Sequence, residues 1–127
     1  MKILIVDDDP ATLNALKASL TSLDHQAFVA KEGPQALEII ITSEKEAEPV
    51  DLMLADLRMP GMNGMELIRK AKKMKLDLAC ILMTAFGSDD VQRELLTLGS
   101  SGYIEKPFTP ERLLQVIKAL KNEKKTT

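Results

Sequence analysis

Val50-Asp51-Leu52-Met53-Leu54-Ala55-Asp56 is an apolar run that ends on a carboxylate, and its reading decides the fold. Leu-Met-Leu-Ala shows no polar alternation, so it is expected to be a strand buried on both faces, as in a parallel sheet covered by helices. Leu57-Arg58-Met59-Pro60-Gly61-Met62-Asn63-Gly64 follows as a loop punctuated by Pro60, Gly61 and Gly64. In an open parallel sheet, ligands sit beyond the carboxyl ends of the strands, which puts Asp56 where chemistry is done. A lone Asp before a loop more often just opens a turn. The choice depends on what else converges on it.

Upstream, residues 3–6 (Ile-Leu-Ile-Val) form a second doubly buried strand that runs into Asp7-Asp8-Asp9. Asp9 suits a helix cap and Pro10 the first helical position. Leu13, Leu16, Leu20 and Leu23 share one face of that helix. Residues 25–30 read as a shorter strand, and Gly33-Pro34 opens a second helix with Leu37, Ile40 and Ile41 facing inward. Residues 44–49 are a polar connection. Downstream, Asn63 or Gly64 starts a third helix carrying Leu67, Ile68 and Ala71. It closes on Arg69, Lys70, Lys72, Lys73 and Lys75, read as a solvated basic end favoured by the helix dipole. Residues 79–83 are a fourth strand ending at Thr84-Ala85. Ser88 caps a fourth helix that turns Val91, Leu95 and Leu98 inward and stops at Gly99. Residues 102–105 are a fifth strand, followed by Lys106-Pro107-Phe108. Thr109, Pro110 and Glu111 start a last helix with Leu113, Ile117 and Leu120 along one side. Residues 1–121 therefore form one domain, with 122–127 a polar tail or the start of a linker. Strands alternating with helices give a parallel α/β sandwich.

The length of 127 residues fits one domain of roughly 100–200, and a 45% hydrophobic share supports a real core. With no Trp, one Tyr and three Phe, that core is aliphatic. A net charge of −2 gives no general attraction to nucleic acid or an anionic membrane. Cys80 is the single cysteine and lies in an apolar run, so a reduced, cytoplasmic setting fits. No apolar segment reaches the roughly 20 residues of a bilayer span. Met1-Lys2-Ile3-Leu4-Ile5-Val6 meets acidic residues too soon for a signal peptide. Met59, Met62 and Met65 read as loop and core filler, not metal ligands.

The ends of strands one, three, four and five carry Asp7-Asp8, Asp56, Thr84 and Lys106. Each has a dull explanation alone, but their joint placement at one sheet edge favours a site. Three carboxylates in one cleft repel, so one stays protonated or a cation sits among them. Oxygen ligands suit a hard ion such as Mg²⁺, which fits a site that also takes phosphate. An ammonium about 4 Å from a carboxylate adds roughly 4 kcal/mol of attraction before desolvation, at an effective dielectric of about 20. A carboxylate can attack phosphorus to form an aspartyl-phosphate. The metal and Lys106 would neutralise the phosphoryl oxygens and the Thr84 hydroxyl would add a hydrogen bond. Ala85 is small and leaves room for a donor.

Four segments carry a resemblance: Ile-Val-Asp7-Asp8-Asp9, Asp56-Leu-Arg-Met-Pro60-Gly-Met-Asn-Gly64, Met-Thr84-Ala85 and Tyr103-Ile-Glu-Lys106-Pro107-Phe108. In that order, each at a strand end, they resemble the receiver domains of two-component response regulators over essentially the whole chain. The resemblance implies a flavodoxin-like (βα)5 three-layer sandwich with strand order 2-1-3-4-5. It implies that Asp56 accepts a phosphoryl group from a phosphohistidine on a sensor histidine kinase or phosphotransfer protein. Mg²⁺ would be held by Asp8, Asp56 and the backbone carbonyl of Arg58, with Asp7 acting through water. Lys106 would pair with the phosphoryl group, and the Lys106-Pro107 bond would be cis. Thr84 and Tyr103 would form a switch that reshapes the face built from the fourth helix, fifth strand and fifth helix. That face would control an output domain or target protein, and phosphorylation-dependent homodimerisation is compatible with it. Arg58 and Phe86, two residues beyond the phosphoacceptor and the switch threonine, would tune the lifetime of the phosphate. The Thr84-Ala-Phe-Gly87 and Asp56-Leu-Arg-Met-Pro60 turns are similar to those of nitrogen-regulatory, sigma-54-activator regulators.

Three rivals are weaker on the residues. A flavodoxin-type flavin binder needs a small, hydroxyl-rich phosphate loop where Asp7-Asp8-Asp9 stands. A haloacid-dehalogenase-type phosphatase would pair Asp7 with Asp9, but Ala11 breaks its pattern and no cap domain is present. A degenerate receiver that only binds partners would not keep all five site residues.

Overall fold

The doubly buried run around Leu54 is the middle strand of the sheet. The structure is a computed structural model that describes residues 1–85 and 87–126, with 121–126 described by backbone alone. In chain order the elements are β1 (Lys2–Val6), α1 (Pro10–Ser22), β2 (Gln26–Ala30), α2 (Gly33–Lys45) and β3 (Leu52–Asp56). Then come α3 (Gly64–Met74), β4 (Ala79–Thr84), α4 (Asp89–Thr97), β5 (Ser101–Glu105) and α5 (Pro110–Thr126). The strands form one sheet in the order β2-β1-β3-β4-β5, every pair parallel. This is the flavodoxin-like three-layer sandwich expected from the sequence.

Alternation along the strands splits the core in two. Leu4, Val6, Met53, Ala55, Cys80 and Leu82 face α2, α3 and α4, packing with Ile40, Leu67, Ile68 and Leu95. Ile3, Ile5, Leu52, Leu54, Ile81 and Met83 face α1 and α5, packing with Leu13, Leu20, Leu113 and Ile117. Each buried Val, Leu, Ile or Met among them contributes about 1.5–3 kcal/mol. The helices start where the caps place them. Asp9 accepts from the Ala11 N–H, Asn63 from Glu66, Ser88 from Val91 and Thr109 from Arg112.

The structure corrects the sequence reading in several places. Ile41 is 42% exposed, because α2 buries the stripe Gly33, Ala36 and Ile40, and Ile41 lies a further 100° around the helix. Leu23 is exposed because it is the C-cap of α1, where the backbone has left the helix. The basic end of α3 is not all solvated. Lys72 is buried and donates to the Leu76 carbonyl at 3.4 Å. Lys75 donates to the Val50 carbonyl at 3.0 Å and pairs with Glu44 at 2.7 Å. Their aliphatic stems cover apolar surface while the ammonium groups find oxygen. The backbone at 122–126 is helical and continues α5, since no Gly or Pro interrupts it. Cys80 is fully buried, and that burial pushes its thiol up to about 12. No helix among the described residues is long and apolar enough to cross a membrane.

Candidate functional site

Parallel strands in register bring their carboxyl ends to one edge. Val6 pairs with Ala30 and Ala55, so Asp7 leaves β1 as Asp56 ends β3. The Asp7 N–H donates to the Ala30 carbonyl at 3.1 Å and the Leu57 N–H to the Met83 carbonyl at 2.8 Å. Thr84 lies opposite Glu105, and the next residue, Lys106, donates its N–H to the Thr84 carbonyl at 2.8 Å. Sequence positions 99 apart thus meet across one cleft.

Lys106 is the pivot of that cleft. Its Nζ lies 2.9 Å from Asp56 Oδ1 and 3.1 Å from Asp7 Oδ2. Asp7 is 1% exposed, Asp56 8%, and the Lys106 side chain 30%. Asp8 is exposed beside them, and one oxygen from each of Asp7, Asp8 and Asp56 lies within 4.8 Å of the others. An all-oxygen set of this spacing fits a hard divalent cation such as Mg²⁺. Asp9 does not join. Its carboxylate accepts from Ala11 N–H and from Thr12 Oγ1 at 2.8 Å, and these hydrogen bonds hold it below the usual carboxylate range. The Asp9 carboxylate is thus engaged in capping α1, which leaves the cluster to Asp7, Asp8 and Asp56.

Burial pushes the Asp56 carboxyl above its usual range. The Lys106 hydrogen bond pulls against this but does not overcome burial and the charges of Asp7 and Asp8. Burial also opposes the Lys106 ammonium, but its hydrogen bonds to Asp56 and Asp7 prevail and raise it above the usual lysine value. Both shifts tie stability to pH in the same sense, a fall as pH rises, but in different windows. A raised carboxyl means the native state binds more protons than the unfolded one, so stability falls as pH rises through the window above 3.8. The raised ammonium contributes stability that is complete below 10.5 and lost as pH climbs through its folded value. Asp56→Asn is accordingly expected to raise the Tm of the cation-free protein at neutral pH. Melts from pH 4 to 8 should show that gain growing with pH, and a lower Tm for the variant throughout would refute the buried-charge cost.

Thr84 is buried at the end of β4, on the sheet face shared with Leu82. Tyr103, opposite Leu82 on β5, is half-buried on that same face. Its ring lies over the chain leading to α4: a Cβ on Gly87 would stand 2.9 Å from Tyr103 Cε2. Arg58 is exposed two residues beyond Asp56. Phe86 lies outside the described residues. The Lys106-Pro107 peptide bond is cis. Sequence reasoning missed the close packing around Gly64, where a Cβ would overlap the Asp56 carbonyl oxygen. The sequence reads Gly64 as loop punctuation or the start of the third helix, and nothing in a string of residues shows what a glycine touches.

Fold and cleft together define a flavodoxin-like α/β domain with a lysine-bridged acid cluster at the carboxyl edge of its sheet. The family model for the response regulator receiver domain matches residues 3–118. Sporulation initiation phosphotransferase F of Bacillus subtilis is 35% identical over 117 residues, 92% of this chain and 90% of that protein. The phosphate regulon transcriptional regulatory protein PhoB of Pseudomonas aeruginosa is 34% identical over 120 residues. That match covers 93% of this chain but 50% of PhoB, so the chain spans about half that protein's length. A solved response regulator receiver domain protein from Methanospirillum hungatei superposes with a TM-score of 0.84 at 34% identity. It covers 99% of this chain and 98% of that one. The chain belongs to the response regulator receiver domain family of two-component systems. Receiver domains are phosphoacceptor signalling domains with an acidic Mg²⁺ pocket, and response regulators work with histidine kinases and output domains.

Proposed function

We propose that Asp56 is the phosphoacceptor of this receiver and that its phosphorylation sets the conformation around Thr84 and Tyr103. The observation that carries the reading is the Lys106 ammonium held between Asp56 and Asp7, at 2.9 and 3.1 Å, beside the three-carboxylate cluster. The donor is a phosphohistidine on a sensor kinase or phosphotransfer protein. An Asp56 carboxylate oxygen forms the new bond to phosphorus as the phosphorus–nitrogen bond breaks, and the imidazole leaves with the electron pair and takes up a proton. Asp8, Asp56 and the Arg58 carbonyl would hold Mg²⁺ directly, and Asp7 through water. The cation, when bound, neutralises charge on the transferred phosphoryl oxygens. Lys106 keeps its ammonium in reach of the same oxygens, and its raised pKa keeps it charged across the physiological range.

The product adds as much as two negative charges and three acceptor oxygens beside Thr84. A Thr84 hydroxyl drawn to them vacates space on the face it shares with Tyr103, and the Tyr103 ring can turn in to fill it. The surface of α4, β5 and α5 then differs between two states whose populations phosphorylation shifts. An output domain, a target protein or a second copy would read that surface. Arg58 and Phe86 would tune the lifetime of the phosphoryl group. The phosphotransferase name of the 35% identical relative supports the reading, and the setting we propose for the domain is cytoplasmic.

Intact mass after incubation with Mg²⁺ and acetyl phosphate tests it. The expected result is one labile phosphoryl adduct that requires Mg²⁺ and is absent in Asp56→Asn. An adduct that persists in Asp56→Asn would move the acceptor elsewhere. No adduct together with no Mg²⁺ binding would leave a receiver that acts only by binding partners.

A further inference from the structure

We infer that Gly33 is a positioning residue for the acidic cleft: its bare backbone seats the Met62 side chain and so holds the loop between β3 and α3 in place. The inference rests on reading Asp7, Asp8 and Asp56 as a Mg²⁺ site. The loop at 57–63 begins at Asp56 and includes Arg58. Its far end is fixed, since Gly64 N–H donates to the Leu57 carbonyl at 3.1 Å and Asn63 caps α3. Its middle is not. Pro60 and Gly61 are exposed, and no atom lies within 4 Å of where a Gly61 Cβ would stand. What anchors the middle is the pair Met59, 8% exposed, and Met62, packed against the core under α2 and α3.

Gly33 supplies the wall for Met62. A Cβ at Gly33 would lie 2.6 Å from Met62 Sδ and 3.1 Å from both its Cβ and Cγ. Gly33 is the first residue of α2 and is buried. Its φ is not positive, so the backbone does not require glycine there. A helix start also gains nothing from glycine, which is worse than alanine in helices. What glycine offers at this position is room. Because one close contact would be to Met62 Cβ, which is fixed to the main chain, an added methyl pushes on the loop backbone and not only on a flexible tip. The loop is continuous with Asp56 and contains Arg58, so the push reaches groups that would hold the cation.

Calorimetric titration with Mg²⁺ alone, with Tm measured separately without divalent cations, tests the seat. Gly33→Ala is expected to weaken Mg²⁺ binding about 10-fold, as loss of a group supporting metal ligands does, while the cation-free Tm changes little. Met62→Ala empties the seat and is expected to give a smaller loss. In the double variant the Sδ and Cγ that crowd the new methyl are gone and only the retained Cβ contact at 3.1 Å is left, so the two losses should combine to less than their product. Wild-type-like binding by Gly33→Ala, or losses that multiply in the double variant, would overturn the inference. If Gly33→Ala does not fold, unchanged Mg²⁺ affinity in Met62→Ala overturns it as well. A wild-type protein that binds no Mg²⁺ removes the metal reading and this inference with it. Wild-type binding with unaffected variants removes only this inference.

Discussion

Lys106→Ala is expected to slow phosphorylation of Asp56 by about 10²–10³-fold, the usual loss when a single charged or hydrogen-bonding group at a developing oxyanion is removed. Two effects act in the same direction. The ammonium 2.9 Å from Asp56 disappears from the side where phosphoryl charge gathers. The one influence that lowers the Asp56 carboxyl also goes, leaving burial and the charges of Asp7 and Asp8 to push it further up. A smaller share of Asp56 is then ionised for attack, and the rise of rate with pH moves to higher pH. Rates of adduct formation from acetyl phosphate between pH 5 and 9 separate the two effects. Lost transition-state charge lowers the plateau, whereas the raised carboxyl displaces the limb. Mg²⁺ affinity should hold or improve, since the ammonium competes with a cation for Asp7 and Asp56. A rate within threefold of wild type at every pH would reduce Lys106 to an ion-pair partner and take the phosphoryl role away from it.

Most of the fold is legible because the inner strands β1 and β3 carry unbroken apolar runs. Ile3 to Val6 and Leu52 to Ala55 leave no polar position, and only a sheet covered on both faces accommodates that. The acids and Lys106 are legible as a group because parallel strands put their ends at one edge whatever the details of the helices. Departures appear where a position depends on what lies beside it. Ile41 differs from Ile40 only by its rotation about α2, and the three-residue run Ile39 to Ile41 does not say which one the stripe takes. Lys72 is charged, yet its stem finds a buried path to the Leu76 carbonyl that composition cannot reveal. Gly64 and Gly33 matter for the atoms opposite them, which lie in other elements. The sequence pattern locates charges by strand end, but space exists only between elements.

Space sets the other large effect. Gly64→Ala is expected to destabilise the domain by about 1–3 kcal/mol, the range for overpacking a rigid site, and to lower Tm by roughly 5–15 °C. The new methyl would overlap the Asp56 carbonyl oxygen and stand 2.8 Å from both the Asp56 carbonyl carbon and Leu82 Cδ1. Two of those three atoms are main chain, in the strand that β1 and β4 clamp on either side. They cannot rotate away as a side chain can. Either α3 lifts from the sheet or β3 shifts at its last residue, and that residue is the one with the carboxylate. Gly102→Ala is the matched control. Its methyl would meet Leu120 Cδ2 at 3.6 Å and Val116 Cγ1 at 3.8 Å, ordinary contacts, so thermal melts should show no loss. If both substitutions leave Tm unchanged, the approach of α3 to Asp56 is looser than drawn and Gly64 carries no constraint. If Gly64→Ala alone falls, its phosphorylation rate decides how the strain is relieved. A rate reduced beyond the loss of folded protein means that Asp56 has moved. A rate that tracks the folded fraction means that α3 gives way and the phosphoacceptor stays where β3 puts it.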